Sequence, residues 1–426
     1  MRNIRKTSIR LGLMAALLAS TPLAADDARL AALEARIAEL EARLAESEAK
    51  PATIPEPPEQ AIEAEPQTDP SWQFGGYVKT DLMASRSSGG SMPAGSIGRD
   101  FFIPGTIPVG GQNSSTQFDA HARETRVFAR KAFPTADGEA VQLHLEMDFL
   151  ATPGGDERVS NSYSPRLRQA WLSYRGLLAG QTWSNFQNVG ALPETVDFIG
   201  PAGATVFVRQ AQLRYTQGGL SLAIENPEST ITPNGGGPRI VSDDNSLPDL
   251  TARYALSTDF GEIQLAGLLR QLKLRNPDSG VDASTTGWGM SLSGRVDIGQ
   301  DDLRWMITHG DGLGRYLGIN LADGAVIDDQ GRLQSIRSTA AFAGYRHWWT
   351  PQWRSSLVLG YTDVDAETRF SGVAITDSAF SGHLNLMYSP VESMSFGLEY
   401  IHARRKLADG RSGELDRLQF GARFGF

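Results

Sequence analysis

The chain has 426 residues, 40% of them hydrophobic, no cysteine and a formal charge of −9. It carries no clustered Lys/Arg face of the kind that binds nucleic acid, and without cysteine it lacks the disulfides common in extracellular domains. The charge is uneven: +4 over residues 1–25, −8 over 26–70 and −5 over 71–426, so the body of the protein is only mildly acidic.

Arg2, Arg5, Lys6 and Arg10 precede an apolar run over residues 11–19 and the small residues Ala24 and Ala25. A basic start, a short apolar stretch and a small-residue site predict a signal peptide over 1–25, cleaved after Ala24 or Ala25. The run is too short for a transmembrane helix, which needs about 20 residues. Next come Leu30, Leu33, Ile37, Leu40 and Leu44, the seam of a heptad repeat over 26–50. With Leu30, Ile37 and Leu44 at a, the g positions are Arg29, Arg36 and Arg43 and the e positions Glu34, Glu41 and Glu48. Each Arg then faces a Glu of a parallel copy, so the pattern predicts a short parallel coiled-coil helix in a homo-oligomer. The heptads do not fix the number of chains. Residues 51–70 hold Pro51, Pro55, Pro57, Pro58, Pro66 and Pro70 among four glutamates, a composition that favours an extended linker.

From residue 71 to 426 the dominant period is two. Val141, Leu143, Leu145, Met147 and Phe149 alternate with Gln142, His144, Glu146 and Asp148. One such strand cannot say whether its apolar face meets a protein core or lipid. The ladder as a whole does. About sixteen candidate strands run from 71–83 to 416–426, among them 116–130, 177–187, 204–216, 285–298 and 333–349. Their connections alternate between short turns, such as 175–176, 217–219, 350–352 and 389–391, and long polar loops over 84–115, 188–203, 227–248 and 310–332. An even strand number with loops sorted by length predicts a transmembrane antiparallel β-barrel of the outer membrane. Aromatic residues gather beside the short turns, at Phe133, Tyr174, Tyr215, Phe260, Trp305, Trp349, Trp353, Tyr388 and Phe396, as an interfacial girdle requires. A barrel of about sixteen strands encloses a water-filled lumen. Register over 116–130 stays open, because Phe118 and Phe128 compete with Val127 for the outer face.

The last strand alternates Leu418, Phe420, Ala422, Phe424 and Phe426 with Gln419, Gly421, Arg423 and Gly425. Ending on Phe426, it resembles the C-terminal signal by which the barrel-assembly machinery recognises outer-membrane barrels. The order of signal peptide, heptad arm, proline-rich linker and barrel resembles the DcaP-like porins. So do the stretches Phe74-Gly75-Gly76-Tyr77-Val78-Lys79-Thr80-Asp81, Leu178-Ala179-Gly180-Gln181-Thr182-Trp183-Ser184, Gly310-Asp311-Gly312-Leu313-Gly314-Arg315-Tyr316-Leu317 and Tyr388-Ser389-Pro390-Val391-Glu392. The resemblance implies a trimeric channel for small anionic solutes, dicarboxylates among them, and a loop at Arg315 and Tyr316 that folds toward the lumen.

If the apolar partners face lipid, Arg166, Arg168, Arg214, Arg253, Arg270, Arg295, Arg304, Arg346 and Arg423 project inward. Lipid-facing arginine near the midplane costs about 2–4 kcal/mol, so inward placement is partly obligatory. Their sign is the functional clue. The inward carboxylates in view are chiefly Glu124, Glu146, Asp148 and Glu399, which predicts a net positive lumen lined by these arginines and Arg315. No cofactor or metal is expected: His121, His144, His309, His347, His383 and His402 lack paired ligand spacing, and Asp243, Asp244 and Asp249 read as a solvated loop without an EF-hand pattern. The glycines at 310, 312 and 314 do not open a helix, so they form no phosphate-binding fingerprint. The reading is an outer-membrane porin with its arm in the periplasm, in contact with lipid and with its own copies. An unselective structural barrel or adhesin, and a barrel enzyme, remain as alternatives. Deleting Phe426 is expected to remove the heat-resistant folded barrel from the outer membrane and leave chain in the periplasm; fractionation showing normal levels of folded barrel would refute the terminal signal.

Overall fold

The computed structural model describes residue 36 and residues 71–426, except 153–154, 159 and 277–279. The signal peptide and the linker lie outside the described residues, as does the heptad arm apart from Arg36, which is helical and exposed.

The barrel strands are β1 (Gln73–Ser87), β2 (Gln117–His121 and Arg126–Pro134), β3 (Ala140–Asp148), β4 (Arg166–Tyr174) and β5 (Leu177–Trp183). They continue as β6 (Arg209–Gln217), β7 (Leu220–Glu225), β8 (Asp249–Thr258), β9 (Gly261–Asn276), β10 (Val281–Ile298) and β11 (Asp301–Asp311). The last five are β12 (Arg337–Trp348), β13 (Trp353–Asp365), β14 (Thr376–Val391), β15 (Met394–Leu407) and β16 (Ser412–Gly425). Each pairs antiparallel with its chain neighbours, and β16 returns to β1 along the ladder from Tyr77↔Gly425 to Ser87↔Leu415. The sheet is therefore a closed barrel of sixteen strands.

Its polarity is inverted. On β13, β15 and β16, Leu359, Leu398 and Leu418 face outward, exposed by 49%, 47% and 49%, whereas Glu399 and Arg417 are buried inside at 0% and 1%. A water-soluble fold would do the reverse, since exposed leucine forgoes about 1.5–3 kcal/mol of burial. Lipid is the solvent that makes this arrangement favourable. The period-two pattern left that choice open; the closed ladder decides it.

The connections separate by end. Short turns lie at 135–139, 175–176, 218–219, 259–260, 299–300, 349–352 and 392–393, and the longer loops at 88–116, 149–165, 184–208, 226–248 and 312–336 all lie at the other end. Three of these fold inward. Phe101, Phe102, Ile103 and Ile107 from loop 88–116 pack with Phe198 and Ile199 against Ile401, Ala403 and Leu415 of the wall. Phe186 and Val206 pack with Leu313, Tyr316 and Leu317 against Met306, Ala340 and Phe342. Segments Ser229–Thr232, Ile240–Ser242, Ala325–Ile327 and Leu333–Ser335 form a separate four-stranded sheet from two loops.

Several boundaries differ from the sequence reading. The candidate strands 177–187 and 204–216 overrun the ladder, because β5 stops at Trp183 and residues 184–208 turn into the barrel. The candidate 333–349 is two elements, one in the loop sheet and one in the wall. β2 is interrupted at 122–125, where the Thr125 hydroxyl accepts from the Lys79 backbone N–H at 3.2 Å in place of a ladder bond. The interruption changes the parity, so Phe118 and Val127 both face outward while Phe128 lies stacked on His144 at 5.9 Å. Replacing the exposed Leu357 of β13 by Arg is expected to cost about 2–4 kcal/mol of folding stability in lipid vesicles. Equilibrium unfolding in urea checks this, and no loss relative to Leu357→Ala would contradict a lipid-facing wall.

Candidate functional site

Loop 184–208 is bound to the inner wall along most of its length. It is anchored at its start by Glu225 of β7, which accepts from the Ser184 hydroxyl at 2.7 Å and the Asn185 N–H at 2.8 Å. Arg304 of β11 then donates to the carbonyls of Gly190 and Leu192, both at 3.1 Å. The Glu194 carboxylate accepts from Arg354 of β13 at 2.6–2.9 Å and from Arg346 of β12 at 3.3 Å. The Val196 N–H donates to Glu399 of β15 at 2.7 Å, and the Val196 carbonyl accepts from Lys79 of β1 at 2.8 Å. Asp197 accepts from the N–H groups of Phe102, Ile199 and Gly200 at 2.7–3.2 Å, tying this loop to loop 88–116.

The wall is shaped for the loop. Gly344, Gly360, Gly397 and Gly421 face inward on β12, β13, β15 and β16. A Cβ there would meet Pro193, Pro201 and Val196 side chains at 2.4–2.8 Å. Such distances are not tolerated, so glycine at these positions is what lets the loop lie flat on the sheet. Burial alone would push the Glu194 carboxyl up, but Arg354 and Arg346 hold it below its ordinary value. Burial and the Glu399 carboxylate push Asp197 up to about 6.

The loop lies against β11 to β16 and β1, where Arg304 and Arg346 hold it, and most of the other arginines lie on the rest of the wall. On β2 to β4, Arg166 binds Asp148 with two bonds of 2.8 and 2.7 Å, and Arg168 binds Glu146 at 2.6 Å and Asp148 at 2.8 Å. A register shift against β3 turns both Arg168 and Gln169 inward. Arg126 lies 3.8 Å from Glu146. Beside them Arg209 stacks on the Trp183 ring at 4.3 Å, and its Nη1 is buried without a hydrogen-bond partner.

Elsewhere Arg253, Arg295 and Arg304 line one cavity of about 390 Å³ with Glu262, Asp297 and loop residues 188–190. Arg295 pairs with Asp297 at 2.7 Å, Arg304 with Asp302 at 2.8 Å, and Arg346 with Asp302 and Glu194. Arg270 lies 3.5 Å from Asp249 and donates to the Leu313 carbonyl at 3.0 Å. Arg315 bonds Gln210 and the Asn226 carbonyl, and the neighbouring Tyr316 hydroxyl reaches Asp249 at 2.9 Å. Arg214 is half-buried on β6, and Arg423 lies over the Tyr77 ring at 3.8 Å. The arginines thus form separate clusters, with no single ring.

Two sequence expectations need correction. Inward carboxylates are more numerous than Glu124, Glu146, Asp148 and Glu399: Glu225, Asp249 and Asp302 join them from the wall and Glu194 and Asp197 from the loop. Asp249 is the first residue of β8 and not a loop residue, whereas Asp244 does lie in a loop and bonds the Ser242 hydroxyl and the Arg275 N–H. Asp302 was readable from its alternation with Leu303. Arg209 and the loop carboxylates had no periodic signal to mark them.

The model of the DcaP outer membrane protein family matches residues 90–426. The outer membrane channel DcaP of Acinetobacter baumannii superposes with a TM-score of 0.69 at 22% identity, over 83% of this chain and 97% of that one. An anion-selective porin from Comamonas acidovorans gives 0.52 at 12% identity, over 84% and 99%, and the trimer form of OmpT from Vibrio cholerae gives 0.51 at 13%, also over 84% and 99%. No curated protein sequence matches the chain.

Because a hydrogen bond to a charged group contributes about 1.5–3 kcal/mol, Glu194→Gln is expected to loosen the loop while the barrel still folds. Hydrogen exchange at the amides of residues 190–198 should quicken by about ten-fold or more. Unchanged exchange would show that the ion pairs do not hold the loop.

Proposed function

The chain belongs to the DcaP outer membrane protein family, and on that premise we propose that it is a homotrimeric porin through which small hydrophilic solutes diffuse, organic anions and dicarboxylates before others. The observation that carries the preference for anions is the cluster on β2 to β6. There Arg126, Arg166, Arg168 and Arg209 gather about the carboxylates of Glu146 and Asp148. In this reading their charge borders the part of the lumen that loop 184–208 does not fill. Low-dielectric walls focus such a field and raise the local concentration of counter-ions. At physiological salt the screening length is about 8 Å, so charges beside a constriction matter and those at a wide mouth do not.

Guanidinium forks match carboxylate geometry, which favours organic acids over neutral solutes of equal size. The cavity with Arg253, Arg295 and Arg304 lies toward the turn side of β8 to β11. In this reading Arg270, Arg315 and Arg346 serve mainly to neutralise wall and loop carboxylates or to hold loops. The A. baumannii channel and the C. acidovorans anion-selective porin are consistent with it, and the OmpT trimer with a threefold assembly. The N-terminal arm then lies in the periplasm, Phe426 serves recognition by the assembly machinery, and no catalytic chemistry is assigned to the lumen.

Arg209 is the cleanest probe of the preference. Replacing Arg166 or Arg168 would strand Glu146 or Asp148, whereas Arg209 forms no ion pair with either. Arg209→Gln is expected to move the reversal potential in a salt gradient toward cations and to slow dicarboxylate entry in liposome swelling, with oligomer and heat resistance unchanged. Unchanged selectivity in the variant would remove this cluster from the account.

A further inference from the structure

Asp301 stands on the lipid side of the wall. It opens β11 on the same outer face as Leu303 and Trp305, between the inward residues Asp302 and Arg304. The position is at the turn-side end of the barrel, beside the turns 299–300 and 349–352 and hence level with the periplasmic headgroups. A charge at that depth costs little. Asp301 is also firmly held, accepting from the Tyr345 hydroxyl at 2.6 Å, His347 Nδ1 at 2.8 Å and the Trp348 N–H at 2.9 Å.

The groups around it share one chemical sense. A carboxylate only accepts, so His347 Nδ1 carries the hydrogen of their bond, and Nε2 of the neutral ring is left as an acceptor. A carboxylate offers about four acceptor positions, and Oδ1 of Asp301 meets the Trp348 N–H alone. Two side-chain donors that could reach a lipid phosphate are turned to protein partners instead. The Tyr345 hydroxyl donates to Asp301, and Trp349 Nε1 donates to the Ser355 hydroxyl at 3.0 Å. The Trp349 ring stands edge-on to His347 at 4.4 Å, and Trp349 and Trp353 are exposed by 62% and 40%. The basic residues at this end of β11 to β13, Arg304, Arg346 and Arg354, are buried on the lumen side. Among the described residues, this rim therefore turns acceptor atoms and ring faces to the headgroups, and no Lys or Arg.

We propose that the outer rim formed by Asp301, His347 and Trp349 seats the headgroup of a phospholipid that carries a primary ammonium, as phosphatidylethanolamine does. The occupant follows from place and charge. An aromatic belt at this depth faces lipid headgroups, ring faces attract a cation, and Asp301 Oδ1 and His347 Nε2 can accept its N–H groups. A quaternary ammonium would meet the rings but has no hydrogen to donate. An anionic headgroup would meet the like charge of Asp301. The inference is independent of what crosses the lumen and adds a lipid site on the outside of the barrel.

The full protein, extracted in detergent and freed of lipid, is offered phosphatidylethanolamine, phosphatidylcholine or phosphatidylglycerol of the same acyl chains in equal, limiting amounts. Native mass spectrometry then counts the lipid retained. The wild type is expected to keep the ethanolamine lipid several-fold better than the choline lipid, and the glycerol lipid least. Asp301→Asn, with heat-resistant mobility showing a folded barrel, is expected to bring the ethanolamine lipid down to the choline level. Trp349→Leu leaves the Asp301 bonds in place and is expected to lower the ethanolamine and choline lipids together. A wild type that retains phosphatidylglycerol as well as phosphatidylethanolamine overturns the proposal whatever the variants do. A folded Asp301→Asn variant that keeps the ethanolamine preference overturns it as well, and reduces Asp301 to a cap for the Trp348 N–H.

Discussion

The backbone must find all of its hydrogen-bond partners within the protein at membrane depth, because lipid supplies none. The β1–β16 ladder from Tyr77↔Gly425 to Ser87↔Leu415 meets that requirement by closing the sheet on itself. The rest of the structure depends on this closure. With no edge left, each strand has one face toward lipid and one toward the lumen. The choice of side chains then follows from the solvent on each side. Leu359 and Leu398 go out, and Glu399 and Arg417 go in.

Closure also creates the electrostatic problem that the lumen solves. Ionic side chains placed inside are held close together, and several are fully buried once loops fold among them. A buried ion pair gains little net stability over a well-packed apolar pair, but removing one partner is costly. Asp302 between Arg304 and Arg346, and Glu194 between Arg346 and Arg354, therefore act as positioning devices for loop 184–208. The inward glycines at 344, 360, 397 and 421 complete the arrangement by letting the loop approach the sheet. Wall and loop are fitted to one another by charge and by volume.

Much of this was legible in the residues. The alternation through Leu143, Leu145 and Met147 marks a strand whatever surrounds it, and the sorting of short turns from long loops marks a membrane barrel. Where period two breaks, the reading fails for a physical reason. Residues 122–125 shift the parity of β2, so Phe118 and Val127 share a face that no single alternation predicts. Strands drawn through 184–187 and 204–208 overran because Phe186, Ala204, Val206 and Val208 supply apolar residues that resemble strand, yet they pack with Met306 and Phe342 inside the barrel. Some inward carboxylates went unread for a related cause. Glu194 and Asp197 lie in an aperiodic loop, and only the folded chain brings them to Arg354 and Glu399.

The central claim is that this closed wall encloses a water-filled path whose field favours anions. Single-channel recording of the purified wild-type protein in a planar bilayer, with a tenfold potassium chloride gradient, tests it most directly. The account expects stepwise conductance with a reversal potential of the sign set by chloride, weakening as total salt rises. A bilayer that stays silent, or a reversal potential of the sign set by potassium, would contradict it.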